Sequence, residues 1–163
     1  MNLLWQQIPS SQVTTIYCQS NFDGIVFDDE HGAFNSETLV TLIQLANYWG
    51  DRKELLQNRN PKLIAQIETR SGIELLDSIK DEFDFFMLGP YDLSADVGCV
   101  ADWENAKYKN IISEFESKIP PEKRCVHIVS NIKKELENKF SDYRIKALGM
   151  DTTILKEGLN RLI

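Results

Sequence analysis

Residues 63–94 read LIAQIETRSGIELLDSIKDEFDFFMLGPYDLS. Leu63 to Ile67 is a short apolar run of the length and composition of a buried strand. Ser71, three residues ahead of Glu74, gives the serine–glutamate spacing of a capping box, and the helix it opens carries Leu75, Leu76 and Ile79. Phe85 to Leu88 is the next apolar run. A strand, a helix and a strand in this compass make a parallel pair joined by a crossover. Each strand is followed by an acidic motif, Ile67-Glu68-Thr69-Arg70 and Gly89-Pro90-Tyr91-Asp92-Leu93-Ser94. Carboxylates at strand ends stand where α/β folds keep their chemistry.

The same alternation runs outward in both directions. Leu3 to Trp5 reads as a first strand, with Ser10 or Ser11 capping a helix through Val13, Ile16 and Tyr17. Ile25 to Phe27 is a second. Asn35 or Ser36 caps a helix with Leu39, Leu42, Ile43, Ala46 and Trp49 at helical spacing, and Gly50 is placed to stop it. Residues 51–61 are polar and read as a helical turn and a loop. Beyond residue 94, Asp102 caps a helix with Ile111, Ile112 and Phe115 inward, ending before Pro120-Pro121. Cys125 to Val129 is a strand, Asn131 to Phe140 a charged helix, and Ile145 to Leu148 the last strand. Thr152 or Thr153 starts a helix carrying Ile154, Leu155, Leu159 and Leu162. About six strand–helix units in alternation predict a parallel α/β sheet, with an open doubly wound sheet and a barrel-like sheet equally compatible. No linker or composition break interrupts residues 1–163, which predicts a single domain. No glycine-rich phosphate loop follows a strand, which weakens a nucleotide-binding version.

Bulk properties narrow the function. The 163 residues suffice for one core, and 42% apolar with 26% charged is ordinary for a globular chain. A net charge of -7 without a basic stripe argues against a nucleic-acid partner. No run of about 18 apolar residues exists, so no membrane-spanning helix is expected. Three scattered cysteines without a CxxC pair suit a reducing compartment better than a disulfide framework, and the chain reads as cytoplasmic.

Two carboxylates at neighbouring strand ends, Glu68 and Asp92, suit a hard divalent cation such as Mg²⁺. Asp28-Asp29-Glu30-His31 follows the apolar run Gly24-Ile25-Val26-Phe27 and puts a candidate acid/base, His31 beside Asp28, after another strand. Blander readings stand beside these. Glu68 and Asp92 could cap the following helices or pair with Arg70, and His31 could be a surface loop residue. Asp29 and Glu30 read as solvated or interface residues. His127, inside a strand, reads as a core or rim residue. The cysteines and Trp5, Trp49 and Trp103 read as packing residues.

Four ordered motifs carry a resemblance: Phe22 to Gly32, Gln66 to Arg70, Gly89 to Ser94, and Gly149-Met150-Asp151-Thr152-Thr153-Ile154-Leu155. In these the chain resembles the HpcH/HpaI class II, metal-dependent pyruvate aldolases. The resemblance implies a TIM-barrel-like parallel (βα) repeat fold, shortened to about six βα units. It implies that Glu68 and Asp92 ligate Mg²⁺ or Mn²⁺. Gln66, Gly89, Pro90 and Tyr91 would line the oxo-acid site, with backbone amides from Gly89 to Asp92 facing the substrate carboxylate. His31, oriented by Asp28, would carry the proton. The reaction implied is retro-aldol cleavage of a 4-hydroxy-2-oxo acid to pyruvate and an aldehyde, or its reverse.

The chain departs from the family in one region. A complete barrel of this type has about 250 residues. Here only the stretch between Gly32 and Leu63, room for one helix and a loop, stands where the third and fourth units belong. The family's substrate arginine, at the end of the third strand, has no counterpart; Arg52 and Arg59 follow no strand. Missing units leave strand edges that invite pairing with another chain, which predicts a homo-oligomer. The alternative to an enzyme is a barrel relative that binds a metal or an oxo acid, or serves as an interaction subunit. A different lyase or hydrolase on the same metal site is a third reading.

Overall fold

A computed structural model describes residues 1–51, 63–129 and 134–162. Its strands are β1 (Asn2–Gln6), β2 (Gly24–Phe27), β3 (Ile64–Ile67), β4 (Phe85–Leu88), β5 (Arg124–Ile128) and β6 (Ile145–Leu148). Its helices are α1 (Ser11–Cys18), α2 (Ser36–Asp51), α3 (Arg70–Ile79), α4 (Pro90–Asp96), α5 (Ala106–Lys118), α6 (Lys134–Lys139) and α7 (Asp151–Asn160). The hydrogen-bonded strand order is β2-β1-β6-β5-β4-β3, so β2 and β3 are the terminal strands. The expected α/β alternation is present, with an additional short helix, α4, directly after β4.

The chain divides into two compact units. The first comprises Met1–Asn60, Val129–Asn131 and Ala147–Ile163. In it β1 pairs in parallel with β2, in the register Leu4↔Ile25 and Gln6↔Phe27. Leu3, Leu4 and Trp5 of β1 are buried with Tyr17 of α1 and Leu42 of α2. Ser10 caps α1 through its hydroxyl and Asn35 accepts from the Thr38 amide at the start of α2. The loop from β1 to α1 is held from inside: Gln6 is wholly buried, donates to the carbonyls of Ile8 and Ser10, and accepts from the Thr14 hydroxyl.

The second unit comprises Pro61–Ile128 and Ile132–Lys146. Here β3, β4 and β5 lie in parallel, with Ile67↔Leu88 and Leu88↔Val126 as the final pairs of each ladder. β4 is the central strand and Phe86, Met87 and Leu88 are buried, as a strand covered on both faces requires. Ile73 and Leu76 of α3 and Ile111 and Phe115 of α5 supply the helical side of this core. Phe140 and Phe115 both pack on Tyr143, whose hydroxyl donates to Glu116.

Several expectations are corrected. The cap of α3 is Thr69, whose hydroxyl accepts from the Gly72 amide, so the helix begins ahead of the Ser71–Glu74 box. Asn105, not Asp102, caps α5, and Asp102 instead accepts from the Asn105 side chain. α2 runs past Gly50 to Asp51, because a glycine near a helix end is tolerated where the helix is already formed. The run Leu63–Ile67 is only partly buried: Leu63 is 59% exposed and Ile64 39%, as befits a terminal strand, whereas Ile67 is buried. Ile16, Leu75, Leu155 and Leu159 also face outward. Of the loop expected over 51–61, Asp51 belongs to α2, and 52–61, with Arg52 and Arg59, lies outside the described residues, as does the beginning of the helix expected from Asn131.

Candidate active site

The residues singled out in the sequence fall into two sets, one in each unit. In the first unit Asp28 directly follows β2 and its backbone amide still donates to Gln6 of β1. The chain then turns tightly. The His31 amide donates to Asp28 Oδ1 at 3.0 Å and the Gly32 amide to the Asp28 carbonyl at 3.0 Å. A Cβ on Gly32 would lie 2.4 Å from that carbonyl oxygen, so the turn requires glycine. It brings His31 Nδ1 to 3.3 Å from Asp28 Oδ1, and leaves the imidazole well exposed with Nε2 3.9 Å from Glu30.

Asp28 itself is only 6% exposed. Its second oxygen, Oδ2, accepts from the Trp5 indole at 2.9 Å and from Gln7 Nε2 at 2.8 Å. Burial pushes this carboxyl upward. The hydrogen bonds from Trp5, Gln7 and the His31 amide, with the charge of His31, outweigh that and hold it below its usual value. Asp28 is therefore a fixed anion with every lone pair directed, as an orienting carboxylate should be.

In the second unit Glu68 and Asp92 follow adjacent strands. The ladder ends at Ile67↔Leu88, and the Gly89 amide donates to the Ile67 carbonyl, which sets Glu68 beside Gly89. Gly89 is the N-cap of α4 and makes no side-chain cap; Pro90 opens the helix and Asp92 lies in its first turn. Glu68 is half-buried and leans across Gly89: a Cβ there would come within 2.8 Å of Glu68 Cγ and 2.9 Å of its Oε1. Gln66 Nε2 donates to Glu68 Oε1. Asp92 is exposed, whereas Pro90 is buried. Tyr91 is half-buried and packs edge-on against Trp103 at 5.2 Å. Thr69 caps α3, so that bland role for Glu68 is already filled, and the Arg70 amide is held by Asp96.

These residues have the oxygen chemistry of a hard-cation site, two carboxylates and a carboxamide, and the glycine leaves room for one of the carboxylates. Among the described residues no group of three or more His, Cys, Asp or Glu is arranged to hold a metal ion. Two carboxylates with open positions are what the sequence motifs supply.

Of the remaining residues, His127 is buried in β5, as the core reading expects. Cys125 is also buried there, and burial pushes its thiol up to about 12, which makes it inert. Sequence reasoning missed three members of the His31 network. The sequence reads Trp5 only as packing, places Gln7 in no motif, and places Asp151 in the fourth motif without a role. Their partners lie more than twenty residues away in the chain, so no local pattern could reveal them.

The fold has known counterparts. An HpcH/HpaI aldolase/citrate lyase family protein from Burkholderia cenocepacia J2315 superposes with a TM-score of 0.82 at 11% identity, covering 99% of this chain and 92% of that one. An HpcH/HpaI aldolase from Desulfitobacterium hafniense DCB-2 gives 0.78 at 15% identity over 98% and 89%. The citrate synthase SbnG gives 0.79 at 18% over 99% and 90%. The fold is that of the HpcH/HpaI proteins. It is a TIM-barrel-like parallel (βα) repeat, shortened to six strands. In sequence, the chain is 28% identical over 118 residues to a hydroxypyruvate/pyruvate aldolase from Roseovarius nubinhibens, across 69% of this chain and 46% of that protein. It thus spans just under half the length of this curated relative. No family model matches the chain. Among the described residues no helix is long and apolar enough to cross a membrane.

Proposed function

We propose that the chain is a divalent-metal-dependent aldolase that cleaves a 4-hydroxy-2-oxo acid to pyruvate and an aldehyde, or runs the reverse addition. The observation that carries this reading is the pairing of β3 with β4, which sets Glu68, supported by Gln66, against the glycine that opens α4 and its acidic first turn. The sequence likeness to a hydroxypyruvate/pyruvate aldolase supports the same class of substrate.

In this reading Glu68 and Asp92 would hold Mg²⁺ or Mn²⁺, which would supply Lewis acidity toward a 2-oxo acid. Gln66 fixes Glu68 and borders the oxo acid. The Gly89 amide is committed to the sheet and Pro90 has none. The first-turn amides of Tyr91 and Asp92 are thus the donors for the substrate carboxylate, because such amides have no intrahelical partner. Gly89 and Pro90 form the floor and Tyr91 a wall. His31, with Nδ1 turned to Asp28, presents Nε2. It takes the proton of the substrate 4-hydroxyl as the C3–C4 bond breaks and the hydroxyl carbon becomes the aldehyde. The bonding pair passes to C3, and a proton returned to C3 completes the pyruvate methyl group. Proton transfer by a positioned histidine is worth about 10²–10⁴ in rate. A cytoplasmic setting and a homo-oligomer belong to this proposal.

Pyruvate in D₂O tests it directly. The protein with Mg²⁺ or Mn²⁺ should wash out the pyruvate methyl proton signal. Glu68→Ala should abolish the exchange and His31→Ala should reduce it. Metal binding without exchange would favour a binding subunit over an enzyme. Absence of metal binding would overturn both.

A further inference from the structure

Gln7 is joined to the start of α7 by two routes. Its backbone amide donates to Asp151 Oδ2 at 3.0 Å, next to the Ile8 amide at 2.7 Å, and its side-chain Oε1 accepts from the Thr152 hydroxyl at 3.1 Å. Asp151 is 5% exposed, so this anchor is buried. The other end of the same carboxamide, Nε2, donates to Asp28 Oδ2 at 2.8 Å. Chemistry fixes this orientation, because a carboxylate only accepts and Nε2 is the only donor on the Gln7 side chain. All five residues belong to one unit.

We propose that Gln7 is a positioning residue for the proton carrier: clamped to Asp151 and Thr152, it holds the Asp28 carboxylate so that Oδ1 faces His31 Nδ1. The inference rests on the aldolase reading for its catalytic meaning, though not for its geometry. Trp5 and Gln7 together occupy Oδ2. The plane of the carboxylate is then fixed, and Oδ1 is left for the amide and the imidazole of His31. The proton of neutral His31 is kept on Nδ1, and Nε2 is the nitrogen that exchanges protons with substrate. Which ring nitrogen is protonated is set by the hydrogen bond the other partner makes. The charged groups near the imidazole are Asp28 and Glu30.

The direct readout is the His31 tautomer, measured by ¹⁵N–¹H correlation NMR at pH 8.5, above the ordinary histidine range. The chain has two histidines, and His31→Asn assigns the resonances. The unsubstituted protein should show His31 as the Nδ1–H form. Gln7→Met should move it toward the Nε2–H form and slow metal-dependent pyruvate exchange about 10-fold, the usual scale for a supporting residue, without weakening metal binding. Gln7→Glu keeps the side-chain length, the acceptor for Thr152 and both backbone ties, but offers Asp28 only acceptors at this pH. It should shift the tautomer in the same direction. Retention of Nδ1–H in Gln7→Glu overturns the proposal even if Gln7→Met fails to fold. Should the unsubstituted protein show no exchange with either metal, the aldolase reading falls, while the tautomer measurement still decides the role of Gln7.

Discussion

At the scale of single residues, the two strand-end sets differ in how firmly they are built. Asp28 is buried and receives three donors, whereas Asp92 stands exposed at the head of α4. That difference sets a pH dependence. The folded carboxyl of Asp28 lies below its usual value, so its ionisation stabilises the fold above about pH 4. The contribution is lost as pH falls through the lower folded value. Asp28→Asn should remove this part of the acid limb, followed as urea midpoints between pH 5 and pH 2. It should also destabilise at neutral pH by about 1–3 kcal/mol, since donors aimed at a carboxylate would then meet an amide. Gly89→Ala tests the other set. The added methyl meets the Glu68 side chain at 2.8 Å and turns it aside, so the variant should lose metal binding while its stability stays within about 0.5 kcal/mol, checked by calorimetry with and without Mn²⁺. The sequence made Glu68, Asp92, Asp28 and His31 visible because each follows an apolar run. It concealed Trp5, Gln7 and Asp151, because their roles arise only when strands distant in the chain become neighbours.

At the scale of elements, apolar runs were easy to read and helix starts were not. β4 and β6 begin and end as their apolar residues indicate. Thr69 and Asn105 won the caps from Ser71 and Asp102, since all four residues can accept an amide proton and only backbone conformation chooses between them. Thr69→Ala should therefore cost about 1 kcal/mol in a urea titration, while Ser71→Ala should stay within about 0.5 kcal/mol. Burial departs from the apolar pattern where an apolar side chain lies on a terminal strand or an outer helix face. Ile64 of β3 and Leu155 and Leu159 of α7 are apolar in sequence but uncovered among the described residues. Periodicity reveals that a face is apolar, not whether anything lies against it.

For the whole molecule, the strand order puts β2 and β3, which are consecutive in the sequence, at the ends of the sheet. Terminal strands carry backbone groups that can template pairing with another chain. Sedimentation equilibrium should accordingly show an oligomer, and a monomer at micromolar concentration would refute that expectation. The ties from Gln7 to Asp151 and Thr152 join residues 144 and 145 positions apart. During synthesis β1 must wait on the ribosome until residues 151 and 152 have been made before its proton-handling hydrogen bonds can close. A translational pause before codon 151 would leave every upstream element made and the histidine still unaligned.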